Sequence, residues 1–145
     1  MNKRIDFEST TDFDLTDKKS YIHWIENVIS QLGFDYTEIN YHFCSDEELF
    51  EINQEYLAHD TYTDIITFDH SFGKIIQTDI HISVDRVKEN ANEFALLFEE
   101  ELKRVMIHGI LHCCGFSDKT KDEKQRMREK EDECMEMFHV EQKEN

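Results

Sequence analysis

The run His108-Gly109-Ile110-Leu111-His112-Cys113-Cys114-Gly115-Phe116-Ser117-Asp118 concentrates the chemistry of the chain and decides how the rest is read. Two histidines four apart on a helix are about 40° apart around its axis and one turn apart along it, so both imidazoles reach one ion. Gly115 lets the chain leave the helix through a left-handed turn, which can swing Asp118 back as an oxygen donor. The expected site is one zinc ion on His108, His112 and Asp118, with a fourth position open to water. Histidines at this spacing also occur on plain polar helix faces. Here Val105, Met106, Ile107, Ile110 and Leu111 surround them, and imidazoles without partners are costly in such a setting.

The zinc-protease pattern places a glutamate base directly after the first histidine, and this chain has Gly109 there. A peptidase of that type loses its base. The glycine would instead allow a substrate or a neighbouring backbone to approach the metal edge of the helix closely.

Working outward, Val84, Val87, Ala91, Phe94, Ala95 and Phe98 keep helical spacing, which predicts one helix over 84–98 and another over 99–114. Asp122 to Val140 reads as a charged terminal helix with a modest stripe of Met127, Cys134, Met135 and Phe138. Upstream, Tyr21 to Ile29 is an amphipathic helix, with Thr16 or Asp17 as N-cap and Gly33 as its stop. Tyr36 to Phe43 reads as a strand. A helix capped by Ser45 or Asp46 follows, carrying Leu49, Phe50, Ile52, Asn53 and Tyr56. Ile65 to Phe68 suits a buried strand, 69–73 a turn, and Ile75 to Ser83 one or two further strands. The segment from Met1 to Arg4 into the acidic residues beyond carries no predicted element.

Bulk properties limit the classes open to this sequence. Its 145 residues suit one domain over 1–145. With 39% hydrophobic and 34% charged residues, the expectation is a globular protein with a charged surface. No run approaches the roughly 20 apolar residues of a membrane span, so no membrane partner and a cytoplasmic location are expected. Cys44, Cys113, Cys114 and Cys134 show no paired spacing and read as reduced, buried thiols. The net charge of -17 opposes nonspecific attraction to polyanions. From Ser20 to Gly73 there is no Lys or Arg at all, so a polyanion would dock elsewhere.

Three blocks of this sequence resemble the YbeY family, bacterial metalloproteins that act as endoribonucleases in rRNA maturation. His108 to Asp118 is similar to the family's His-Gly-x-Leu-His-x-x-Gly-Tyr-x-His. Asn53-Gln54-Glu55-Tyr56, Asp60 and Thr63-Asp64-Ile65-Ile66-Thr67-Phe68 resemble its Asn-x-x-Tyr-Arg-x-x-Asp-x-x-Thr-Asp-Val-Leu-Ser-Phe, and Thr78 to Ser83 resembles its Gly-Asp-Ile strand. The resemblance implies an α+β fold with a mixed four-stranded sheet flanked by about five helices. It also implies zinc on the three motif positions, and single-strand-specific cleavage of precursor rRNA in maturation and ribosome quality control, with the ribosomal subunit or ribosomal proteins as partners.

Two positions depart from the family. Asp118 stands where a third histidine is usual, and carboxylate oxygen is an accepted zinc ligand. Leu57 stands where the family has an arginine, so a phosphate-binding cation must come from elsewhere. Arg104 lies one turn before His108 on nearly the same face, and Lys119, Lys121, Lys124, Arg126, Arg128 and Lys130 follow Asp118; most of these cations suit a solvated helix surface. His108, Asp64 and Arg104 form the expected catalytic set, Asp64 as the assisting carboxylate. Asp64 would equally suit a turn or cap, and Asp60 and Asp79 share that ambiguity. Two other functions fit the residues: a ribosome-assembly binding factor with a structural zinc, and a metal-dependent hydrolase of a small ester or peptide.

Overall fold

A computed structural model describes residues 2–57 and 62–144, with side chains described to residue 139. Four strands form one mixed sheet: β1 (Arg4–Ser9), β2 (Asp35–Cys44), β3 (Ile65–Asp69) and β4 (Ile75–Ser83). Five helices flank it: α1 (Lys18–Gln31), α2 (Asp46–Leu57), α3 (Val84–Glu93), α4 (Phe98–Cys113) and α5 (Lys121–Glu144). The α+β architecture expected from the sequence is the one observed. The spatial order is β1-β2-β4-β3. β1 and β4 run parallel to β2, and β3 is antiparallel to β4.

Strand alternation divides the sheet into two unlike faces. Ile5, Ile39, Tyr41, Phe43, Ile76, Ile80 and Ile82 are buried on one of them, in a core shared with Trp24, Ile25, Leu102, Met106, Ile110 and Phe138 from the helices. Polar groups inside this layer find partners: Trp24 Nε1 donates to the Cys134 carbonyl at 2.6 Å and Tyr41 Oη to the Met106 carbonyl at 3.0 Å. On the other face α2 covers one end, where Leu49 packs with Cys44 and Ile66. Asp79 also lies on that face, with His42 Nε2 at 3.5 Å and His70 Nε2 at 3.8 Å.

Local signals explain most element ends. Ser45 and Glu48 form a capping box at α2, each side chain accepting the other's backbone N–H at 3.1 Å. Gly33 (φ 80°) and Gly115 (φ 96°) close α1 and α4 in left-handed turns. In both turns the next residue donates back to the last turn of the helix, Phe34 to the Ile29 carbonyl and Phe116 to the Leu111 carbonyl at 3.0 Å.

Two sequence expectations need correction. The helix predicted over 84–98 stops at Glu93, because Ala95 takes a left-handed conformation (φ 56°) and Leu96 donates back to the Ala91 carbonyl at 2.8 Å. Periodicity continues through this break because Phe94 and Leu97 still fit a helical spacing, yet both are exposed. The second is β1, whose alternation of Ile5 and Phe7 with charges is too short to stand out and whose partner lies in the segment around Glu38. Asp60 lies outside the described residues. No helix among those described is long and apolar enough to cross a membrane.

Candidate metal centre

α4 carries the two histidines, and its approach to the sheet depends on Gly109. A Cβ there would stand 2.9 Å from Ile80 Cδ1, 3.2 Å from Ile65 Cδ1 and 3.3 Å from Thr67 Oγ1. The glycine thus seats α4 against the side chains of β3 and β4. The close approach expected from the sequence exists, and side chains of the sheet make it.

The link between α4 and α5 is fixed at both ends. Gly115 turns the chain out of α4, and Thr120 with Glu123 forms a capping box at α5: the Thr120 amide donates to Glu123 Oε1 at 2.9 Å and the Glu123 amide to Thr120 Oγ1 at 3.1 Å. Asp118 sits between these anchors. Its Oδ2 lies 3.4 Å from His108 Nε2 and 3.6 Å from His112 Nε2, and the two Nε2 atoms are 2.9 Å apart. Ligand bonds of about 2.0–2.1 Å in tetrahedral geometry place donors roughly 3.3–3.4 Å from each other. The donor triangle therefore suits zinc in both spacing and chemistry, and these three residues form a group that could hold a metal ion.

Behind the triangle lies a residue that the sequence did not single out. Glu131 of α5 is buried, and its Oε2 meets His108 Nδ1 at 2.6 Å. With Nδ1 held by a carboxylate, Nε2 is left for a metal. Glu131 Oε1 accepts from Arg104 Nη1 at 2.9 Å, and Arg104 Nη2 reaches Asp132 at 2.6 Å. Glu131 falls at i+4 from Met127 and i−3 from Cys134, so it is an acid on the apolar stripe of α5, and that placement is the sequence signal that could have found it.

Electrostatics separate the two imidazoles. Burial lowers the pKa of His108, but the hydrogen bond and charge of Glu131, with Asp118 and Asp64, more than reverse this and leave it above the ordinary histidine value. Burial and the charge of His108 push His112 down, toward the neutral form a metal ligand needs. Burial also raises Asp64, with His108 opposing.

In front of the triangle opens a cavity of about 620 Å³. Asn53 and Leu57 of α2, Asp64, Ile65 and Thr67 line it together with His108, His112 and Asp118. A smaller cavity of about 270 Å³ adjoins on the α5 side, lined by Asp64, Glu101, Arg104, His108, Asp118, Arg128 and Glu131 among others. Asp64 and Arg104 therefore both flank the donor triangle, Asp64 facing both cavities and Arg104 held in ion pairs to α5. Asp79 lines neither of them.

The family model described as Endoribonuclease YbeY matches residues 4–139. The chain belongs to the YbeY family. Curated relatives carrying the name Endoribonuclease YbeY include one from Flavobacterium psychrophilum, 53% identical over 95% of this chain and 99% of its own length. Another, from Christiangramia forsetii, is 55% identical over 95% of this chain and 96% of its own. The solution structure of a Thermotoga maritima protein superposes with a TM-score of 0.65 at 29% identity, covering 98% of this chain and 93% of that one. Membership in the YbeY endoribonuclease family makes this chain a hydrolase with RNA as its substrate class. His108, His112 and Asp118, the group that could hold a metal ion, lie within the matched residues.

Proposed function

We propose that this chain is a zinc-dependent endoribonuclease that cuts single-stranded precursor rRNA in the cytoplasm, works as one domain, and holds its ion on His108, His112 and Asp118. The observation that carries this reading is the donor triangle with edges of 2.9, 3.4 and 3.6 Å opening directly onto a cavity that also presents Asp64. Zinc bound there would supply a Lewis acid that makes water nucleophilic near neutral pH and polarises a phosphoryl oxygen.

The chain's own residues do the rest. Glu131 keeps His108 oriented and its Nε2 free; Asp64 accepts the proton of the attacking water, its raised pKa bringing it closer to the working pH. Leu57 and Ile65 give the cavity an apolar stretch of wall. Arg104 belongs to the set through Glu131, whose charge it balances. The outer sheet face carries Asp6, Glu8, Glu38 and Asp79 around one arginine, Arg4, which pairs with Asp6 and Glu38, and its net negative charge supports contact with basic ribosomal proteins.

The test is cleavage of an unstructured RNA oligonucleotide by purified chain with zinc, beside His112→Ala. Zinc-dependent internal cuts that disappear in His112→Ala together with the metal support the reading. A zinc-loaded wild type that never cuts RNA refutes it.

A further inference from the structure

A phosphodiester brings negative charge to a site already rich in carboxylates. Asp64, Asp118, Glu101 and Glu131 all line the two cavities at the donor triangle, and the α2 side contributes the apolar Leu57. Among the described residues, Arg104 and Arg128 are the Lys or Arg side chains at these cavities, and both line the smaller one. They differ in what they have left to give. Arg104 spends both terminal nitrogens on Glu131 and Asp132 at 2.9 and 2.6 Å, and its side chain is only 15% exposed. Arg128 is exposed and makes no hydrogen bond or ion pair among the described residues; Glu101 feels its charge without touching it.

We infer that Arg128 is the residue that grips the scissile phosphate, its free guanidinium reaching over the small cavity to the edge of the metal centre. It sits on α5 one turn before Glu131, with Met127 beside it buried in the core, so a packed helix fixes its base while its head stays in solvent. A planar guanidinium offers two parallel N–H donors to two phosphoryl oxygens, where a lysine offers a point charge. The cation thus approaches from the α5 side, opposite Leu57 of α2. Arg126, two residues earlier, lines a separate cavity with Cys114, Phe116 and Glu123 and does not face the centre.

This inference rests on the ribonuclease reading, so two measurements are combined. Zinc-loaded wild type, Arg128→Ala, Arg128→Lys and the control Arg126→Ala are compared in single-turnover cleavage of a labelled unstructured RNA. Arg128→Ala is expected to lose about a hundredfold in kcat/KM at unchanged zinc content and Tm, Arg128→Lys to fall between it and wild type, and Arg126→Ala to match wild type. Equilibrium binding of the same RNA is measured against salt, where Arg128→Ala is expected to bind more weakly with a slope reduced by about one. An Arg128→Ala protein that cuts as wild type does overturns the role of Arg128 and leaves the ribonuclease reading standing. A wild type that binds RNA but never cuts it overturns the ribonuclease reading, and the salt slope alone then decides Arg128, an unchanged slope refuting it.

Discussion

Glu131 Oε2 lies 2.6 Å from His108 Nδ1, so the terminal helix α5 determines which nitrogen of a metal-site histidine faces the cavity. Carboxylates behind metal-bound imidazoles are worth about 10–100-fold in metal affinity. Glu131→Gln is therefore expected to weaken zinc binding by about that factor in competition with a chromophoric chelator. Glu131→Ala additionally removes one of the two carboxylates that Arg104 pairs with and leaves it Asp132, and a lower Tm is expected from the lost buried contacts. Unchanged zinc affinity in Glu131→Gln would show that Nδ1 needs no carboxylate.

Asp64 is expected to act as a base. Its pKa is raised by burial, and a base works only when ionised, so the acid limb of the kcat profile should lie above the ordinary carboxylate value of 3.8. Asp64→Asn should remove that limb and lower kcat by about 10²–10⁴-fold at unchanged zinc content. An acid limb that persists in Asp64→Asn assigns it to another group.

Gly109→Ala sets two effects against each other. Alanine favours an exposed helix by about 1 kcal/mol over glycine, but the new Cβ would stand 2.9 Å from Ile80 Cδ1 in a fully buried layer, and overpacking costs about 1–3 kcal/mol. A net destabilisation of about 1 kcal/mol is expected by urea titration, with weaker zinc binding as α4 lifts from β3. A more stable variant would mean that Ile80 yields easily.

Thiol chemistry gives a pH-dependent test of the core. Burial pushes Cys113 and Cys134 up to about 11 from a starting value of 9.0, and Cys44 and Cys114 to about 12. A thiol whose folded pKa is raised contributes stability that is complete below the unfolded value and is lost as pH rises through the folded one. Stability should thus decline between about pH 9 and 12. At pH 8 iodoacetamide should label the folded chain slowly and the urea-unfolded chain at all four positions.

How far the sequence revealed the fold depended on whether a signal was local. The His108–His112 pair, the Gly115 turn and the Ser45 cap are short-range patterns, and each lies where the sequence puts it. The left-handed turn at Ala95 was hidden because alanine normally continues a helix. β1 was hidden because its pairing, Arg4 with Glu38, joins distant segments. Arg104 could be placed near His108 by helix geometry, but its pairing to Glu131 and Asp132 belongs to the packing of α5 on α4. Glu131 did leave a trace, as a carboxylate on the stripe of Met127, Cys134 and Phe138, but its partner His108 is set by the packing of α5 on α4.

All three metal donors come from the single run between His108 and Asp118, while Asp64 and Glu131 come from outside it. Closing a short loop costs little chain entropy compared with joining distant strands. An ion can therefore gather the α4–α5 corner while the chain is still folding, before β1 finds β2. Asp64, the proposed proton acceptor, enters only once β3 has paired with β4. On the proposed zinc reading, assembly in that order would make the ion a template for the fold as well as a reagent, and the cleft would become reactive last.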